Sequence, residues 1–291
     1  MRLFLREWQV AYRKKPQGSI FSDKTTPFIA IPNTRRYTAA DPFLFTENGT
    51  TYLFAELYDK KDGLGKLGYA VYDGERFSPW KIVISEPYHL SYPNIFRQKG
   101  EIYIVPEASA DNTLYAYKAV SFPDQWEKCE PILTGRCLVD TTFWDKDGKR
   151  WMFTYDIASQ TSKKLYLYTV DKDGRLEQCT DTCVSSDDAS ARPGGNFFQY
   201  KKDWIRVSQD CTGDYGVAVV FSKVLACSEE GYAEERLLRI SPKDVRINRR
   251  FLSGLHTYNA NDEMEVIDFH VIDFDPMTQV RRIMEKLGLR K

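Results

Sequence analysis

Hydrophobic and polar positions alternate in twos along most of this chain, and the alternation comes in repeating blocks. "DPFLFTENGTTYLFAE" (41–56), "YPNIFRQKGEIYIVPE" (92–107) and "DTTFWDKDGKRWMFTY" (140–155) are each 16 residues long. All three have glycine at the ninth place and an aromatic at the twelfth. A looser fourth copy is "RPGGNFFQYKKDWIRVSQD" (192–210), and a weaker fifth is "SGLHTYNANDEMEVIDF" (253–269). The first four are followed by a further apolar run: "LGYAVYD" (67–73), "TLYAYKA" (113–119), "KLYLYTV" (164–170) and "YGVAVVF" (215–221). A period of two, broken by Gly, Asn and Asp, predicts strands and tight turns in place of helices. Three or four antiparallel strands recurring every ~50 residues predict an all-β, five-bladed β-propeller. The competing architecture is a β-sandwich whose hairpins resemble one another by coincidence.

The repeat divides a single domain, residues 1–291, into blades at roughly 41–90, 91–138, 139–190, 191–246 and 247–275. The N-terminal residues are expected to close the fifth blade, and residues 276–291 form a C-terminal tail expected to be helical. In a propeller the first strand of each blade lines the axial channel and the second returns antiparallel to it. Both ends of each hairpin then lie at one mouth. Asp41, Asp140 and Arg192 begin inner strands, while Glu56, Glu107 and the Gln209–Asp210 pair end second strands.

Those positions are the candidate site. Asp41 precedes a proline, as turn-opening acids do, but Asp140 recurs at the same place two blades on. Two carboxylates facing across a channel shift each other's pKa, which separates acid and base roles. Glu56 and Glu107 suit a general acid, a hydroxyl-binding group or a partner for a channel arginine. "EPYHLSYPNIF" brings His89 and Tyr92 to the blade-two entrance, where His89 suits sugar hydroxyls or simple loop packing. Arg192, beside two glycines, suits a phosphate or carboxylate, or an ion pair with Glu107 or Asp140. His256 of "GLHTY" falls near the axis, with a water, a cation or core packing as its alternatives.

Composition narrows the function classes. With 41 acidic and 41 basic residues there is no excess charge to neutralise a phosphate backbone, which argues against nucleic acid. The opening "MRLFLREWQVAYRKK" has no signal-peptide core, and no apolar run reaches membrane-spanning length. Six cysteines without CxxC spacing read as reduced thiols in a cytoplasmic protein. An aromatic share of 14% suits strands and the apolar faces of sugars alike. Walker, Rossmann, HExxH and GxSxG motifs do not occur.

"ADPFLF…YLFAE", "YHLSYPNIF…YIVPE", "FPDQW", "VDTTFW", "ARPGG" and "SQD…YG" together resemble the N-terminal domain of plant glucosamine inositolphosphorylceramide transferase and its bacterial relatives in polysaccharide biosynthesis. More distantly the pattern is similar to the five-bladed propellers of glycoside hydrolase families 43, 32 and 117. The first resemblance implies glycosyl transfer in cell-surface glycan assembly. Its expected partners are a sugar or oligosaccharide, a nucleotide sugar and a partner enzyme of polysaccharide assembly. The second implies Asp41 as general base, Asp140 as the residue tuning the acid, and His256 beside an axial cation or water. It also exposes a departure, because the family 43 general acid opens blade four, where this chain has Arg192. Hydrolysis with Asp41 as base and Glu107 as acid, and non-catalytic glycan binding, are the alternatives.

Overall fold

The computed structural model describes residues 4–15, 20–21, 23, 25–158, 164–170, 176–179, 183–247 and 252–274. The chain forms five antiparallel sheets arranged as a five-bladed β-propeller, with no α-helix among the described residues. The tail expected to be helical, 276–291, lies outside the described residues. Blade one is built from Tyr37–Glu47, Thr50–Asp59, Leu64–Val71 and Lys81–Ile84 in sequential order. Blades two (Ser91–Gln98 to Gln125–Thr134), three (Leu138–Lys146 to Leu176–Gln178) and four (Phe198–Tyr200 to Gly231–Ile240) follow the same plan.

Blade five joins the two ends of the chain. Its strand Met264–Phe274 pairs with Phe4–Lys14 along their whole length, from Phe4 opposite Phe274 to Lys14 opposite Met264. Eleven residues of backbone ladder therefore lock the ring.

Local chemistry explains the hairpins. Asn48–Gly49, Lys99–Gly100 and Asp147–Gly148 all have positive φ at both positions. That is the type I′ turn, whose twist matches the flanking strands. The ninth-place glycine of the repeat is the second residue of this turn.

Period-two alternation then sends neighbouring side chains of one strand into opposite interfaces. In blade one, Phe54 packs toward blade two, while Leu53 and Leu57 pack toward blade five. In blade two, Ile104 faces blade one and Val105 faces blade three; in blade three, Met152 faces blade two and Phe153 faces blade four. A final cluster around Phe221, Tyr258 and Phe269 joins blades four and five. Five apolar clusters, one per interface, close the circle.

A ring of side-chain amides ties the inner strands together. Asn94 Nδ2 donates to Asn196 Oδ1 at 2.7 Å, and Asn94 Oδ1 accepts the Phe143 amide at 3.2 Å. Asn259 Oδ1 accepts the Asn196 amide at 2.7 Å, and its Nδ2 donates to the Pro42 carbonyl at 2.7 Å. Every blade contributes to this ring. Gly195 makes the close approach feasible, because a Cβ there would lie 1.9 Å from the Tyr258 carbonyl oxygen.

Candidate active site

Asp41 and Asp140 do not start their strands; they sit inside Tyr37–Glu47 and Leu138–Lys146. Each is the extra residue of a β-bulge, and Tyr92 holds the matching position in blade two. Their φ values are 50°, 47° and 49° for Asp41, Tyr92 and Asp140. Left-handed backbone at a non-glycine residue is strained by ~1–3 kcal/mol and concentrates at functional sites. The bulge re-aims the side chain, here toward the axis for both acids.

The Asp41 carboxylate is held from several sides. Oδ2 accepts the Tyr92 amide at 3.1 Å, and Oδ1 accepts the Thr257 hydroxyl at 2.9 Å. His256 Nε2 lies 3.6 Å from Oδ1. Behind it stands Asp268, fully buried, which accepts the Asp41, His256 and Thr257 amides and pairs with His256 Nδ1 at 2.6 Å. Trp8 stacks on the His256 ring at 4.0 Å, nearly parallel.

Asp140 forms the second half. Arg192 Nε donates to Asp140 Oδ2, and Gln209 Nε2 reaches the same oxygen at 3.0 Å. Arg192 Nη2 also lies 3.7 Å from Glu107 Oε2, whose Oε1 takes the Ser109 hydroxyl at 2.9 Å. Tyr215, exposed at the mouth, lies over the Arg192 guanidinium at 4.8 Å.

Electrostatics follow from this crowding. Burial pushes both aspartates up to about 6, against the opposing pull of His256 on Asp41 and of Arg192 on Asp140. The Asp140 charge also raises Asp41 across the axis. Glu107 is raised by burial, with Arg192 and Ser109 pulling it back. Glu56 is raised well above the usual carboxylate range by burial and then by Asp41, Glu107, Asp268 and Asp140. Burial opposes the His256 charge, but Asp268 and Asp41 outweigh it and raise the imidazole.

His89 stands at the rim against Glu56. Its Nδ1 accepts the Gly65 amide at 3.0 Å, so Nε2 carries the proton and points to Glu56 Oε1 at 3.3 Å. Burial lowers its pKa and keeps it neutral at pH 7.

The structure thus brings Asp41, Asp140, Glu56, Glu107, Arg192, Gln209, His89 and His256 to one funnel. Tyr92 contributes its backbone amide only, because its ring packs on Phe43 and its hydroxyl shares a hydrogen bond with Thr142 at 2.8 Å. Asp210 leaves the group. Successive strand residues point to opposite faces, and with Gln209 inward Asp210 turns out to pair with Arg239 at 2.7 Å.

Trp8, Tyr215, Thr257 and Asp268 escaped the sequence reading. Only Asp268 had a signal of its own, an acid inside the apolar run "EVIDFHVIDF". Asp41, His256 and Asp268 place ligand-type atoms within 4.8 Å of one another, a set that could hold a cation. The proton on Nδ1 is committed to Asp268, which leaves Nε2 and the Asp41 carboxylate as the donors facing the axis.

Together the five sheets and the acid-lined funnel at their axis define a five-bladed β-propeller domain. The family profile described as glucosamine inositolphosphorylceramide transferase 1, N-terminal, matches residues 30–261, and the chain belongs to that family. The Arabidopsis thaliana transferase of that name is 34% identical over 203 residues, covering 67% of this chain and 26% of the relative. The Oryza sativa subsp. japonica protein is 31% identical, covering 67% and 27%. The chain spans about a quarter of the length of these curated relatives. Among solved structures, a family 117 glycoside hydrolase from Zobellia galactanivorans aligns with TM-score 0.58 at 15% identity, covering 92% of this chain and 91% of that one. The catalytic domain of a Coprinopsis cinerea family 62 α-L-arabinofuranosidase gives 0.59 at 10%, covering 90% and 97%. At such identities the likeness is one of fold.

Proposed function

We propose that the funnel is a glycosyl-transfer site of cell-surface glycan assembly. The observation that carries this reading is the carboxylate pair Asp41 and Asp140, each pushed up to about 6, Asp41 set against His256 and Asp140 against the half-buried Arg192. A carboxylate in that range is a competent base at neutral pH. Asp41 takes the proton from the acceptor hydroxyl as that oxygen attacks the anomeric carbon. The bond from that carbon to a phosphate oxygen breaks, and the electron pair leaves with the phosphate. Arg192 Nη1, which has no hydrogen-bond partner among the described residues, faces the developing charge. Arg192 where family 43 enzymes place an acid supports transfer, since a phosphate leaving group needs little protonation. The acid excess of the funnel, five carboxyls against Arg192 and His256, and the relatives' printed name support an amino sugar as the moiety handled.

A second reading is glycoside hydrolysis. It is favoured by Glu56, whose pKa burial and the neighbouring acids raise well above the usual carboxylate range and which, beside His89, is better placed than the arginine-bound Glu107 to protonate a leaving oxygen. Mass-spectrometric screening of the purified protein against nucleotide sugars with acceptors, and against aryl glycosides, separates the two. Asp41→Asn should abolish turnover while donor binding persists by calorimetry, and retained turnover sinks the assignment of Asp41 as base.

A further inference from the structure

The second strand of blade four ends at Asp210, and the chain crosses the mouth of the funnel before the third strand starts at Ala218. Residues 212–215 of this connection are exposed, and Gly213 and Gly216 bend it with φ of 82° and 60°. Both ends are tied down. Asp210 Oδ1 accepts the Thr212 amide and the Asp210 carbonyl accepts the Val217 amide, each at 2.9 Å. The Gly216 carbonyl accepts the Leu255 amide at 2.9 Å, and a Cβ at Gly216 would lie 2.8 Å from the His256 Cβ. A short loop fixed at both ends on the site delivers Tyr215 to one place.

That place joins the two halves of the funnel. The Tyr215 ring covers the Arg192 guanidinium at 4.8 Å and stands edge-on to His256, with ring centres 5.2 Å apart. It belongs to none of the five apolar clusters, and 44% of it is open to solvent. An aromatic residue that packs only on site residues serves the site more than the core. Its hydroxyl has no hydrogen-bond partner among the described residues. Burial and the charges of Asp140, Asp41 and Glu107 raise the phenol well above its ordinary value against the pull of Arg192, so the proton stays on. With the ring over its face, Arg192 sends Nε to Asp140 and Nη2 toward Glu107. Two donors on these adjacent groups are left unclaimed, Arg192 Nη1 and the Tyr215 hydroxyl.

We propose that Tyr215 is a substrate-contacting residue of the funnel, its hydroxyl donating beside Arg192 Nη1 to the oxygens of a departing phosphate. The inference rests on the glycosyl-transfer reading and names a second donor for the leaving group. The tyrosine gives up no proton. The electron pair of the broken bond stays on the phosphate oxygen, and a guanidinium N–H and a phenol O–H share the charge. A neutral donor suits this position, because a second cation there would be drawn to Asp140 and Glu107 as Arg192 is.

Inorganic pyrophosphate, which presents the phosphate oxygens without a sugar, is the probe. Calorimetry near pH 6, where Asp41 and Asp140 titrate, should record its binding to the wild-type protein. Tyr215→Phe keeps the ring on Arg192 and removes only the hydroxyl. Affinity should then fall about tenfold, as for one lost hydrogen bond to a charged group, at an unchanged melting temperature. Tyr215→Ala should lose more, since it also uncovers Arg192, and Arg192→Met should abolish binding. Undiminished binding by Tyr215→Phe, with Arg192→Met still abolishing it, overturns the role of Tyr215 and leaves the transfer reading standing. A loss in Tyr215→Phe that comes with a lower melting temperature assigns the hydroxyl to the fold and overturns the proposal equally. If the wild-type protein does not bind pyrophosphate, the phosphate leaving group and this inference fall together.

Discussion

Replacing Arg192 with methionine leaves the Asp140 and Glu107 carboxyls buried without a cation. Breaking a buried ion pair by removing one partner destabilises by ~3–5 kcal/mol. Unfolding entropy of roughly 2.1 cal/mol/K per residue amounts to about 0.6 kcal/mol/K for this chain. The melting temperature should therefore fall by about 5–8 °C. The fall must also depend on pH, and its sign is set. Both carboxyls already titrate above their ordinary values, and losing Arg192 raises them further. An acid whose folded pKa exceeds its unfolded one contributes stability below the unfolded value, and that contribution is lost as pH rises through the folded value. The deficit of Arg192→Met should be small near pH 4 and complete above pH ~7. Thermal melts of both proteins by circular dichroism across that range supply the test. Adding Asp140→Asn and Glu107→Gln to the variant should recover most of the loss. An equal deficit at both ends of the range, or none at neutral pH, refutes the claim that these charges hold one another.

Asp41, pushed to about 6 from 3.8, should by the same rule take ~3 kcal/mol from wild-type stability between pH 4 and 7. Urea unfolding of Asp41→Asn should show a flatter profile there, and an unchanged slope would count against a shifted Asp41. Asn259→Leu strands the Asn196 amide and the Pro42 carbonyl in the amide ring, so urea midpoints should report a loss of ~2–4 kcal/mol. A loss below ~0.5 kcal/mol would mean the ring is ornamental to folding. Gly195→Ala drives a methyl into the Tyr258 carbonyl and should destabilise by ~3 kcal/mol or more; a well-folded variant with wild-type stability would show that blades four and five pack differently.

Much of the fold was legible because a propeller writes one pattern several times. Type I′ turns at Asn48–Gly49, Lys99–Gly100 and Asp147–Gly148 mark the hairpins, and a period of two marks the strands between them. The site was legible where it coincided with the repeat, as at Asp41 and Asp140. It was illegible where the repeat breaks. Trp8 reaches the axis only because the closing strand pairs with blade five, a contact 262 residues distant in the chain that no local pattern encodes. Tyr215 sits in the loop before the third strand of blade four, outside any hairpin, and reaches the funnel through the turn at Gly216, φ +60°. Asp210 shows the opposite failure. Adjacency to Gln209 in sequence suggested shared purpose, and strand alternation divides them.

The bulges reveal how the site and the fold constrain each other. Asp268 accepts the bulge amide of Asp41, and Asp41 accepts the bulge amide of Tyr92. Each acid thus satisfies the backbone that the next blade's kink leaves unpaired, so the strain is held by the same carboxylates that give the funnel its charge. Blade three completes the pattern differently: Asp140 is bulged like the others, but its carboxylate meets Arg192 and Gln209 from blade four. An acid in place of Arg192 would face Asp140 and Glu107 with no cation between them, and three buried carboxyls could not all ionise. With arginine there, Asp140 and Glu107 are its ion-pair partners, and Asp41 and Glu56 face the two histidines, His256 and His89, instead.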